Sequence, residues 1–154
     1  MHYWLMKSEP AEYSIDDLAG APRQTAPWVG VRNYQARNFM RDAMALGDLA
    51  LFYHSSCEIP GIAGIVKVAK LAYPDATQFD AKSEYYDSKA TRAQPRWFNV
   101  DVKLVARTRF VPLAELRGRK PLAGMQLLKR GNRLSITPVT PAEWSIIMRL
   151  AGHE

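Results

Sequence analysis

The sequence predicts an α+β fold, a small and mostly β barrel of five or six strands with short helices around it. Two apolar and aromatic runs, residues 3–7 and Leu49–His54, have the length and composition of buried strands. In residues 97–106, apolar side chains alternate with polar ones, which is typical of a half-buried antiparallel strand. Several short segments between these runs carry the residues that start and end helices.

Two further strands and two irregular segments complete the β part of this prediction. Residues 62–69 are apolar and follow Leu49–His54 after a short turn-rich segment, so we expect these two strands to form a hairpin. Residues 133–137 predict a last short strand. Residues 21–31 contain two prolines and a glycine and are predicted to be a loop, whereas residues 73–96 are polar and are predicted to form a long, partly ordered excursion.

Helices are indicated by caps and by apolar residues at helical spacing. Ser14 is in position to cap a short helix. From Asn33 onward, apolar residues recur with the period of a helix that buries one face. Thr140, followed by a proline and by Glu143, has the composition of a capping box at the start of a carboxyl-terminal helix. Two more short helices are predicted, beginning at Pro112 and Pro121.

Composition restricts the class of protein. The chain has 154 residues and no repeat or linker, so we expect a single domain spanning residues 1–154. Its net charge of +6 favours a polyanionic partner about as much as it favours an unspecialised basic protein. The only cysteine, Cys57, excludes an internal disulfide and is typical of a reducing compartment. There is no signal-like or membrane-spanning run, so cytoplasmic residence without a membrane partner is expected.

Trp28 is the strongest candidate for a binding residue. It lies in the predicted loop just before a helix start that is rich in amide and guanidinium groups. A tryptophan in a loop is often only a plug over the core. The functional alternative is a stacking surface, since stacking of a base on an aromatic ring contributes about 1–3 kcal/mol for any base. The amide and guanidinium groups that could contact a base edge or a phosphate belong to Arg32, Asn33, Gln35, Arg37 and Asn38.

Two strand ends add candidates. Lys7 and Ser8 follow the first strand, where side chains are expected at the rim of a barrel, although Ser8 could simply start a turn. Tyr53, His54 and Ser55 end another strand, with Cys57 close behind. A nucleophile–base pair is disfavoured there, because neighbours on a strand point to opposite faces and no orienting group or oxyanion site is visible.

Two residues later in the chain stay open between structural and functional roles. By the alternation of its strand, Trp97 falls on the face that carries the polar side chains. It therefore needs either cover from residues 73–96 or a function of its own. Tyr85 and Tyr86 could supply that cover or could add to a pocket wall. Arg133 is a candidate contact to a phosphate or base, or an ordinary exposed arginine. The spacing of histidines and the single cysteine predict no metal site, and no cofactor is indicated.

Six segments in order along the chain carry a specific resemblance: HYWLMKSEP, W-x-GVRNYQARN, GDLALFYHS, GIAGIVKVA, YPDATQFD and RWFNVDV. Together they resemble the EVE-domain family, from Tyr3 to about Leu150. The short length resembles its bacterial members. The resemblance implies a PUA-like fold, a small twisted β-barrel with flanking helices. It also implies kinship with the YTH domain, which recognises methylated adenine in RNA. By that kinship Lys7 and Ser8 would lie at a pocket rim, Trp28 would form one wall and Trp97 a second.

From these observations we expect a non-catalytic, monomeric module that binds nucleic acid. It would hold a flipped, modified base in an aromatic pocket, with modified cytosine in DNA favoured by the family resemblance. The alternatives are a PUA-type RNA-binding module without preference for a modification, and a nucleotide- or small-molecule-processing enzyme that uses Tyr53, His54 or Cys57. The residues assigned to ligand binding are Lys7, Ser8, Trp28, Arg32, Asn33, Tyr34, Arg37, Asn38, Tyr53, His54, Ser55, Trp97 and Arg133.

Overall fold

The computed structural model describes residues 1–153 and contains one mixed sheet of six strands, in the order β2–β5–β4–β3–β1–β6. β1 runs parallel to β3, and the other neighbouring strands are antiparallel. The strands are β1 (Tyr3–Ser8), β2 (Thr25–Pro27), β3 (Leu49–His54), β4 (Gly61–Pro74), β5 (Phe98–Pro112) and β6 (Ile136–Val139). The α+β class is therefore confirmed. The sheet is not closed, because β2 and β6 lie at its two edges, so it replaces the predicted barrel.

The strand bounds differ from the predicted ones where pairing partners lie far away in the sequence. The predicted loop of residues 21–31 contains β2, whose Thr25 lies opposite Lys103 of β5. The backbone N–H of Trp28 extends this pairing by donating to the Val100 carbonyl at 2.8 Å. β4 and β5 are longer than predicted and pair with each other from Gly61 to Pro74. β6 begins three residues later than the predicted last strand.

The helices are α1 (Ile15–Ala19), α2 (Tyr34–Asn38), α3 (Leu113–Arg117) and α4 (Pro141–Leu150). Ser14 caps α1 and a capping box begins α4, as predicted: Ser14 accepts from the Asp17 backbone N–H, and Thr140 accepts from that of Glu143. At α1 the Asp17 side chain also accepts from the Ser14 backbone, so this cap is a capping box too, which was not predicted. α2 is shorter than predicted and continues as a π-helical turn over Phe39–Ala43. The predicted helix at Pro121 is replaced by two 3₁₀ turns, Lys120–Leu122 and Gln126–Leu128.

Each face of the sheet packs against its own hydrophobic core, because side chains alternate along the strands. On β1, Met6 belongs to one core and Leu5 to the other. The Met6 side is covered by α1, the segment around Trp28 and α2. The Leu5 side is covered by α3, the two 3₁₀ turns and α4.

The excursion between β4 and β5 is compact and is closed at its base by Gln78, which is fully buried. The Gln78 amide nitrogen donates to the carbonyls of Asp75 and Trp97 at 2.8 and 2.7 Å. The Gln78 side-chain oxygen accepts from the backbone N–H groups of Arg96 and Trp97 at 3.0 and 2.9 Å. The excursion therefore forms a closed loop, and it places its tip against the segment that carries Trp28.

Candidate functional site

A cleft of about 790 Å³ opens at the carboxyl ends of the parallel strands β1 and β3. In sheets with parallel strands, ligands usually bind outside these ends. The Ser55 backbone N–H donates to the Ser8 carbonyl at 2.9 Å and so extends the pairing of the two strands to the edge of the cleft. The predicted site residues that line the cleft are Lys7, Ser8, Trp28, Arg32, Asn33, Ser55 and Arg133.

The first strand brings Lys7 and Ser8 to the rim, as the sequence predicted. The Ser8 hydroxyl donates to the Tyr13 carbonyl at 2.6 Å, so its proton is already engaged and only its lone pairs remain for a ligand. Lys7 is half-buried, and this burial lowers the pKa of its ammonium group. Lys7 therefore places a poorly hydrated positive charge beside the cleft, where a phosphate or an acceptor atom would be a favourable partner.

Trp28 is both a core residue and a wall of the cleft. Its side chain is only 7% exposed, and its ring meets Phe52 edge to face at a centroid distance of 5.3 Å. The same residue lines the cleft, so Trp28 belongs to the core, as the plug interpretation predicted, and borders the cleft with the small part that stays exposed. The core contact fixes the ring in place before any ligand arrives.

Arg32 is committed mainly to architecture. Its guanidinium forms an ion pair with Asp75 at 3.2 Å and donates to Thr77 Oγ1 at 2.9 Å and to the Tyr85 carbonyl at 2.8 Å. Asp75 is fully buried and also accepts from the Gly30 backbone N–H at 2.8 Å. This set of contacts joins the Trp28 segment to the excursion. Arg32 borders the cleft, but most of its donors already have partners.

Asn33 also has a local structural role. Its side-chain oxygen accepts from the Ala36 backbone N–H at 3.0 Å and caps α2, which leaves its amide N–H groups for a ligand. Arg133 is exposed and forms no ion pair with any carboxylate in residues 1–153. It is therefore the more available guanidinium at this cleft.

No sequence pattern indicated the acidic wall of the cleft, which is formed by Glu9 and Glu12. Tyr85 completes this wall, since its hydroxyl donates to Glu12 Oε1. Burial, and then the Glu12 carboxylate, raises the pKa of Tyr85. The lining of the cleft thus combines carboxylate acceptors with positively charged side chains. No local pattern could reveal the contact, because Glu12 and Tyr85 lie 73 positions apart.

Gly30 explains how Tyr85 reaches the cleft. Gly30 has a φ of +84°, and a Cβ at this position would lie 2.7 Å from the Tyr85 ring. A side chain would therefore be strained and would also displace the ring. The sequence marked Gly30 only as a loop residue, although its function is to let the excursion pack closely against the Trp28 segment.

Four of the predicted site residues form a second cluster and do not line the cleft. Tyr34 is half exposed and stacks on Trp97 at a centroid distance of 4.8 Å. Trp97 is 7% exposed, and its Nε1 donates to Asp87 at 2.8 Å. Trp97 is therefore covered by the excursion and does not form a wall of the cleft. Arg37 donates to Asn38 Oδ1 and to the Arg96 carbonyl, both at 2.8 Å.

The side chains of Tyr53 and His54, at the end of β3, lie on opposite faces of the sheet. Tyr53 is 3% exposed in the core on the Leu5 side of the sheet, and burial raises its pKa to about 12. His54 lies on the other face, where its Nε2 accepts from the Ile15 backbone N–H at 3.1 Å. Burial lowers the pKa of His54, which favours the neutral ring that this hydrogen bond requires. Neither side chain lines the cleft.

Residues 1–153 contain no group of three or more histidine, cysteine, aspartate or glutamate side chains arranged to hold a metal ion. This part of the chain also has no helix that combines the length and apolar character needed to cross a bilayer.

The family model of the EVE domain matches residues 2–150. The match covers nearly the whole chain, so the chain belongs to the EVE-domain family, and the resemblance drawn from the sequence segments is confirmed. The likeness to solved structures of this family also supports the PUA-like fold that the resemblance implied.

Curated relatives and solved structures agree with this assignment. Thymocyte nuclear protein 1 of Gallus gallus is 48% identical over 166 residues, which cover 96% of this chain and 68% of the relative. The crystal structure of human THYN1 protein in complex with DNA containing 5-methylcytosine is 46% identical, with a TM-score of 0.93 and coverage of 100% of this chain and 99% of that chain. A hypothetical protein from Leishmania major is 50% identical, with a TM-score of 0.93 and coverage of 99% and 95%.

Proposed function

We propose that this protein is a non-catalytic nucleic-acid-binding module that holds a flipped, modified base in the cleft beside Trp28, with modified cytosine in DNA as the favoured ligand. One observation carries the proposal: the human structure in complex with DNA containing 5-methylcytosine matches this chain over its full length at a TM-score of 0.93. The cleft of about 790 Å³ is large enough for a nucleoside, and aromatic, acidic and basic side chains line it.

Each wall of the cleft suits one part of a nucleotide. Trp28 offers a fixed aromatic surface for stacking. Glu9 and Glu12 offer acceptors, and carboxylates accept from the exocyclic amine of cytosine. Lys7 and Arg133 offer positive charge for the phosphates. Flipping a base costs a few kcal/mol, and these contacts offset that cost.

Discrimination between modified and unmodified bases is expected to be modest. One methyl group in an apolar pocket contributes about 1–3 kcal/mol, which corresponds to a preference of about 10- to 200-fold. The direct test is titration of fluorescent duplexes that differ only in one central cytosine, 5-methylcytosine or 5-hydroxymethylcytosine. Equal affinity for all three would reject modified-base recognition while leaving nucleic-acid binding intact.

Two variants locate the site. Trp28→Phe keeps an aromatic ring of smaller area and should reduce the preference for the modified base, whereas Trp28→Ala should abolish it. Because Trp28 is buried, thermal unfolding of both variants must be measured beside binding. Arg133→Ala should weaken binding to all duplexes. Its matched control is Arg149→Ala, which removes the same charge from an exposed position of α4, the helix that packs on the opposite face of the sheet.

Competition between RNA and DNA at fixed salt tests the polymer. A PUA-type RNA-binding module would prefer RNA, because the 2′-hydroxyl distinguishes the two polymers. A DNA preference with a modified-base preference supports the proposal, and an RNA preference with no effect of modification would replace it. Monomeric state and cytoplasmic residence stay predictions from the sequence.

A further inference from the structure

A second aromatic surface lies beside the cleft and has no role in the proposed base pocket. Tyr34, the first residue of α2, leaves 50% of its side chain exposed. Its ring stacks on Trp97 at a centroid distance of 4.8 Å and an interplanar angle of 20°. The exposed part of this stack is an aromatic surface that the contacts of the fold leave uncovered.

The ring under Tyr34 is rigidly held. Trp97 is 7% exposed, and its Nε1 donates to Asp87 Oδ2 at 2.8 Å. The Trp97 backbone N–H donates to the buried Gln78 at 2.9 Å. Tyr34 therefore rests on a fixed base, and little side-chain entropy would be lost when a ligand stacks on it.

One face of the Tyr34 ring is free. Arg37 Cζ lies 4.6 Å from the Tyr34 centroid and 6.0 Å from the Trp97 ring. If Arg37 covered the face of Tyr34 opposite Trp97, its distance to Trp97 would approach the sum of the Tyr34–Trp97 distance of 4.8 Å and the Arg37–Tyr34 distance of 4.6 Å. That sum is far above the observed 6.0 Å. Arg37 therefore lies at the edge of the stack, and the outer face of Tyr34 can receive a planar group.

The charge beside this ring is not compensated by a carboxylate. The donors of Arg37 reach Asn38 Oδ1 and the Arg96 carbonyl, which are both neutral acceptors. Within residues 1–153, no acidic side chain lies at ion-pair distance from it. Its neighbour Arg41, in contrast, pairs with Asp42 at 2.9 Å. Arg37 thus presents a fixed positive charge at the edge of the stack.

Arg32 connects this surface to the cleft. It lines the cleft, and its Cζ lies 5.3 Å from the centroid of the Trp97 ring. Asn33, the cap of α2, also lines the cleft and directly precedes Tyr34. The two surfaces are therefore separated by one layer of side chains, which is compatible with neighbouring nucleotides of one strand.

We infer that Tyr34 is a stacking platform for a second base, next to the one held in the cleft, and that Arg37 holds the phosphate at its edge. The inference rests on the proposed function only in taking nucleic acid as the ligand. Stacking on an aromatic ring tolerates any base, so the platform adds affinity without selecting the modification. A flat ring with a guanidinium beside it that no carboxylate neutralises fits a base and its phosphate better than it fits a protein surface.

The test combines affinity with a local optical signal. Oligonucleotides carry one central cytosine or 5-methylcytosine, with 2-aminopurine at each flanking position in turn. In the wild type, stacking on Tyr34 should quench 2-aminopurine at one flanking position. Tyr34→Ala should abolish that quenching and weaken binding by about 5- to 150-fold, equally for both cytosines. Tyr34→Phe should behave as the wild type, and Arg37→Gln should weaken binding and lower its salt dependence.

Tyr86→Ala is the matched control, because Tyr86 is 45% exposed on the excursion. It should change neither affinity nor quenching. Thermal unfolding of Tyr34→Ala shows whether the fold is kept, and Tyr34→Phe separates loss of the ring from loss of the hydroxyl. Unchanged affinity and quenching in Tyr34→Ala would overturn the platform.

The outcomes distinguish this inference from the proposed function. If the wild type shows no preference between the cytosines and Tyr34→Ala weakens its binding, the platform is supported and modified-base recognition is rejected. If the wild type prefers the modified cytosine and Tyr34→Ala changes neither affinity nor quenching, modified-base recognition is supported and the platform is rejected. Binding of no oligonucleotide by the wild type would reject both.

Discussion

Asp75 offers the sharpest test of how the cleft is built, through the variant Asp75→Asn. The two carboxylate oxygens of this buried residue have different partners. Oδ1 accepts from the Thr77 backbone N–H at 2.8 Å and from the Thr77 hydroxyl at 2.5 Å. Oδ2 accepts from the Gly30 backbone N–H at 2.8 Å and from Arg32 at 3.2 Å. Asparagine has the same shape but only one acceptor oxygen, so it can serve one pair of donors and not both.

The expected loss follows from this geometry. If the amide oxygen faces Thr77, its NH₂ group meets two other donors, and the Gly30 N–H and Arg32 lose their acceptor. Each unsatisfied buried donor costs about 1–3 kcal/mol. Breaking a fully buried ion pair costs about 3–5 kcal/mol, but the Arg32 side chain is 21% exposed, so water compensates part of this. We expect a decrease of about 3 kcal/mol in the free energy of unfolding.

Urea denaturation measures this decrease, and a thermal melt should show a fall of about 6–12 °C in Tm. The matched control is Asp80→Asn, because Asp80 is exposed on the same excursion and caps only the Lys82 backbone N–H at 2.9 Å. The control should change stability by less than about 0.5 kcal/mol. If Asp75→Asn were as mild as the control, the buried contacts of Asp75 would not be what joins the excursion to the Trp28 segment.

Three further predictions concern the same region. Gly30→Ala should lower the free energy of unfolding more than Gly47→Ala. Both glycines have positive φ, which costs alanine about 1–2 kcal/mol, but only at Gly30 would a Cβ also contact Tyr85. Equal effects of the two variants in urea unfolding would contradict this reasoning. Burial lowers the pKa of His54 below its usual 6.5 in the folded protein. As the pH falls, the unfolded chain therefore binds a proton at His54 before the folded protein does. Stability should therefore fall as pH drops below about 6.5, and His54→Asn should flatten that slope unless another group causes it. Arg133→Ala should lower the slope of log affinity against log salt by about 1, and an unchanged slope would remove it from the phosphate contacts.

Local signals predicted the parts of the fold that local contacts stabilise. The N-cap at Ser14 and the capping box at Thr140 predicted α1 and α4, and the apolar run Leu49–His54 predicted β3. β2 escaped prediction because it has only three residues, ends in Pro27 and is defined by pairing with distant β5. Closure of a barrel depends on whether the two edge strands meet, and no pattern within one strand carries that information.

The candidate site was predictable to the same extent. The segment around Trp28 and the strand end at Ser8 do line one cleft. Tyr34 and Arg37, which the sequence placed in the same pocket, form a separate surface, because residues at the start of a helix project in several directions. The role of Arg32 could not be foreseen, because its partner Asp75 lies 43 positions away.

The ion pair between Arg32 and Asp75 links the two proposed binding surfaces physically. Arg32 borders the cleft on one side and lies 5.3 Å from the Trp97 ring on the other, while Asp75 holds the backbone that follows Trp28 through the Gly30 N–H. A change at this pair should therefore disturb base stacking in the cleft and on the Tyr34 platform together. Asp75→Asn should reduce both the preference for the modified base and the quenching of the flanking 2-aminopurine. Tyr34→Ala should reduce the quenching and the affinity but leave the preference between the two cytosines unchanged. Loss of one effect without the other in Asp75→Asn would show that the two surfaces are positioned independently.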